Sequence, residues 1–85
     1  MLRKYLFYFS ENGNKQALYL VAHSFHAAVV QFRVYEKTAL ISSIRSQLFN
    51  PKMDSALSFY VPLSQREQSY FLFPFEFLRS VDYGV

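Results

Sequence analysis

The chain has 85 residues, 52% apolar and 20% aromatic, with nine Lys and Arg against six Asp and Glu for a net charge of +3. Ten Phe and seven Tyr stand beside no Cys and no Trp, which excludes a disulfide framework and a thiolate metal site, and the apolar content argues against disorder. At this length the residues 1–85 form one domain hiding little more than about 60% of the surface of its unfolded chain, so aromatic rings must supply much of the buried area.

Arg3 to Ser10 and Gln16 to His23 are two runs of high β propensity separated by Glu11-Asn12-Gly13-Asn14, the pattern of a β-hairpin. Asn12 and Gly13 tolerate positive φ, as a type I′ turn requires. With those two as the loop, Phe9 faces Gln16, Tyr8 faces Ala17, Phe7 faces Leu18, Leu6 faces Tyr19 and Tyr5 faces Leu20. One face then carries Tyr5, Phe7, Phe9, Leu18, Leu20 and Ala22, apolar enough to be the core side. The other carries Lys4, Leu6, Tyr8, Ser10, Lys15, Ala17, Tyr19 and Val21, a mixture of aromatic, aliphatic and cationic groups.

Ser24 is a favourable N-cap, and Phe25, Ala28, Val29 and Phe32 recur at helical spacing, predicting a helix that ends near Glu36 or Lys37. Val30 and Val34 lie off that stripe, which means either a helix covered on two sides or a surface that meets a partner. Residues 38–49 fit both periods: Leu40, Ile41, Ile44 and Leu48 suit a helix, while the β-branched Ile41-Ser42-Ser43-Ile44 suits a third strand, the reading adopted here.

Asn50-Pro51-Lys52-Met53-Asp54 has turn composition, after which Leu57, Phe59, Val61 and Leu63 alternate with Ser58, Tyr60 and Pro62 as a half-buried strand near a sheet edge. Residues 64–69 read as a loop and Tyr70 to Phe73 as the return strand of a second hairpin. Pro74 then opens a short terminal helix with Glu76 in its first turn, and Asp82 to Val85 form a tail. The expected fold is α+β: an antiparallel sheet of four or five strands in ββαβββ order, with one main helix packed on one face and a short C-terminal helix.

Chemistry-bearing motifs are few. His23 and His26 supply two imidazoles, and two ligands without thiolates or a nearby acid do not make a metal site. Ser24 adjoins His23, yet neighbours in sequence seldom aim at one substrate, and the only glycines, Gly13 and Gly84, form neither a nucleophile elbow nor a phosphate loop. No two of the six acids adjoin. The expectation is a protein that is no enzyme and carries no cofactor or metal. The first apolar run, Tyr5 to Phe9, is too short for a signal peptide, and no run approaches the roughly 18 residues that cross a bilayer; a cytoplasmic protein without membrane partners is expected.

Interface centres favour Tyr, Phe, Met and Arg, so the expected task is noncatalytic binding of a protein partner, as an accessory, regulatory or inhibitory factor that occludes a larger machine. Size and composition are those of many small proteins of phages and other mobile elements. The candidate contact residues are Tyr8, Tyr19 and Tyr60 at the centre, with Lys4, Lys15 and Arg66 steering an acidic partner from the rim. Self-association through the aromatic face or a strand edge is the simplest alternative use. Nucleic acid is another, with bases stacking on a face of Lys4, Tyr8, Lys15 and Tyr19, although the cations are scattered and no RNA-recognition signature is present. The alternative in which these tyrosines pack beneath another element stays open.

Overall fold

The computed structural model describes residues 1–63. They form β1 (Arg3–Glu11), β2 (Asn14–Ala22), α1 (Phe25–Tyr35), β3 (Leu40–Leu48) and β4 (Phe59–Val61). The four strands make one antiparallel sheet in the order β3-β1-β2-β4. Among the described residues the fold is therefore α+β. The expected return strand at 70–73, the helix after Pro74 and Arg66 lie outside the described residues.

The hairpin has the register that its loop dictates, from Arg3 opposite Ala22 to Glu11 opposite Asn14. Asn12 has φ 52° and Gly13 φ 81°, the two positive values a type I′ turn demands, so its twist matches that of the strands. β3 continues the sheet on the far side of β1, with Ile44 opposite Phe7 and Arg45 opposite Leu6. Register shifts between Tyr8 and Phe9, which face Ser43 and Ile41, so Ser42 is the extra residue of a β-bulge. β4 is shorter than the alternation from Leu57 to Leu63 suggests: only Phe59, Tyr60 and Val61 pair, with Tyr19, Leu18 and Ala17.

Two crossings are forced by this strand order. β2 and β3 flank β1, so α1 must carry the chain over β1; β3 and β4 sit at opposite ends, so residues 49–58 must carry it back across both central strands. The two connections use opposite faces. Ser24 caps α1, its Oγ accepting from the Ala27 N–H at 3.1 Å, and Arg33 stops the chain after the helix by donating to the Ala39 carbonyl at 2.9 Å. On the helix side Phe32 stacks on Phe7 (4.5 Å between centroids, 12° between planes) and meets Phe9 edge-on at 5.2 Å. Tyr5, Leu18, Leu20, Ala22, Ala28 and Ala39 complete that core. Phe25, expected in the buried stripe, is 57% exposed; it is the first helical residue, and its ring is tilted against that of Tyr5 with 6.5 Å between centroids.

Candidate functional site

On the face away from the helix, Leu6, Tyr8, Ala17 and Tyr19 form a second buried cluster with Val61, and Val21, Phe59 and Leu63 pack against it. The crossing segment brings polar groups as well. Asn50 organises it: its carbonyl accepts from Met53 N and Asp54 N at 3.0 and 2.8 Å, its Oδ1 accepts from Lys52 N, and its own N–H donates to Asp54 Oδ2 at 2.8 Å. This knot of short-range bonds aims the remaining carboxylate oxygen of Asp54 at the sheet, where Lys4 Nζ donates to it at 2.9 Å. The two side chains are 1% and 2% exposed. One residue on, the Ser55 carbonyl accepts from the Tyr19 hydroxyl at 2.8 Å, and Phe59 stacks on the Tyr19 ring at 4.8 Å.

These contacts correct the expected exposure of three candidate residues. Lys4, Tyr8 and Tyr19 are interior, each about 1% exposed: the crossing segment supplies Lys4 and Tyr19 with the hydrogen bonds that a buried ammonium or phenol needs, and Tyr8 packs in the cluster with Leu6, Ala17 and Val61. A ring or ammonium so enclosed presents nothing to a partner. Tyr60 is placed differently: paired opposite Leu18, it lies on the helix side, half exposed. Its hydroxyl donates to Glu36 Oε2 at the end of α1, and its ring tilts against Phe9. Partial burial, with the Glu36 carboxylate accepting its hydrogen bond and repelling the phenolate, pushes the Tyr60 pKa up to about 12. Lys15 is exposed, and with Tyr60, Val61 and Leu63 it lines a cleft of about 290 Å³ beside β4. The six candidates are thus divided: Lys15 and Tyr60 share one cleft, Lys4, Tyr8 and Tyr19 are interior, and Arg66 lies outside the described residues.

The surface that is open had a weaker sequence signal. Val30 and Val34 project outward from α1, as their position off the stripe allowed, and Tyr35 is half exposed beside them. Phe25 at the start of the helix and Leu40 and Leu48 at the two ends of β3 are also exposed. All three acids among residues 1–63 are engaged internally: Glu11 accepts from the Thr38 hydroxyl at 3.3 Å, Glu36 from Tyr60, and Asp54 from Lys4. Against them stand seven Lys and Arg, of which Lys15, Arg33, Lys37, Arg45 and Lys52 are exposed. Among the described residues no three His, Cys, Asp or Glu side chains come together, and no helix is long and apolar enough to cross a membrane.

No family model, no curated protein and no solved structure matches the chain.

Proposed function

We propose that this protein is a noncatalytic binding module for a protein partner, an accessory or regulatory factor that acts by covering part of a larger molecule. The observation that carries the reading is the set of large apolar side chains that α1 leaves in solvent, Phe25, Val30, Val34 and Tyr35, with Val30 and Val34 one turn apart on one side of the helix, in a domain that closes two separate cores. Single exposed apolar residues are ordinary, whereas several on one helix mark an interaction surface. The excess of exposed cations among the described residues, with Asp54 buried against Lys4 and Glu11 and Glu36 each accepting a hydrogen bond, favours an acidic partner and fast association. Nucleic-acid binding through an aromatic sheet face has less to support it, since Lys4, Tyr8 and Tyr19 are enclosed.

The test is capture of partners by the tagged protein from lysate of its native host, with and without nuclease, alongside a Val30→Ser/Val34→Ser variant. Retention of one stoichiometric protein that survives nuclease and is lost with the variant is the expected result. Retention of many nucleic-acid-associated proteins, all lost with nuclease, would overturn the reading.

A further inference from the structure

We draw no further inference here: the strongest candidate, the cleft beside β4 that Lys15, Tyr60, Val61 and Leu63 line, lies where the described residues end, and nothing in the structure shows what covers it.

Discussion

The two faces of the sheet are buried by different means. The helix side is closed by a regular element whose apolar stripe meets rings and aliphatic chains, and the described residues there make ring–ring contacts with little polar chemistry. The opposite side is crossed by an irregular strap, residues 49–58, that brings a buried ion pair, a phenol–carbonyl bond and a stacked ring. Regular backbone satisfies its own hydrogen-bonding groups and can be laid on a purely apolar face, whereas irregular backbone has free carbonyls and N–H groups and needs polar side chains beneath it. A Lys inside an aromatic run is thus a sign of what lies over it.

The largest loss of stability should come from the helix side. Phe32→Ala removes the ring that stacks on Phe7 and meets Phe9, with an expected cost of about 3–5 kcal/mol in denaturant unfolding. On the strap side, Asp54→Ala takes the carboxylate away from the enclosed Lys4 ammonium, with an expected cost of about 3 kcal/mol. The two faces differ in how they are repaired: Lys4→Met combined with Asp54→Asn should regain most of that loss, because the enclosed charge goes while the acceptor for the Asn50 N–H stays. A double variant no better than Asp54→Ala would mean that the charge pair itself holds the strap.

Gly13→Ala acts on both faces at once, since the turn fixes the register that assigns each side chain its side. A Cβ there meets nothing within 4 Å, and only the φ of +81° opposes it, so the cost should be about 1–2 kcal/mol with an unchanged far-ultraviolet spectrum. The smallest effect concerns Tyr60. Its pKa is raised from 10.0 to about 12, so the folded state holds a proton that the unfolded chain releases first. The stabilisation is therefore complete below pH 10 and is lost as pH rises through about 12. The melting temperature of Tyr60→Phe should fall less steeply than that of the wild type over that interval.

The helix side was legible in the sequence because its determinants are local. Asn12-Gly13 sets the pairing of Tyr5 with Leu20, Ser24 starts the helix, and Ile41 and Ile44 identify a strand across an ambiguous stretch. The strap side was not, because its defining contacts join distant residues: Lys4 and Asp54 are 50 positions apart, and Tyr19 and Ser55 are 36 apart. Asp54 looked like one more turn residue, and Lys4 like a solvated end of a strand. The signal that was present is chemical: a cation followed by Tyr5 and Leu6 calls for a counter-ion if it is covered, and Asp54 stands in the connection between β3 and β4. Which residues a crossing connection covers depends on strand order, and no periodicity encodes strand order.

The strap also sets a sequence of events in time. Hairpin and helix contacts close short loops, whereas docking Asp54 on Lys4 closes a far longer one, at a greater entropic cost and for few bonds. The strap should therefore settle after the hairpin and the helix and lift before them, with water returning to the Lys4 ammonium as it does. Amide exchange at Asp54, whose N–H donates to the Asn50 carbonyl within the strap, should report that opening before the helix side yields.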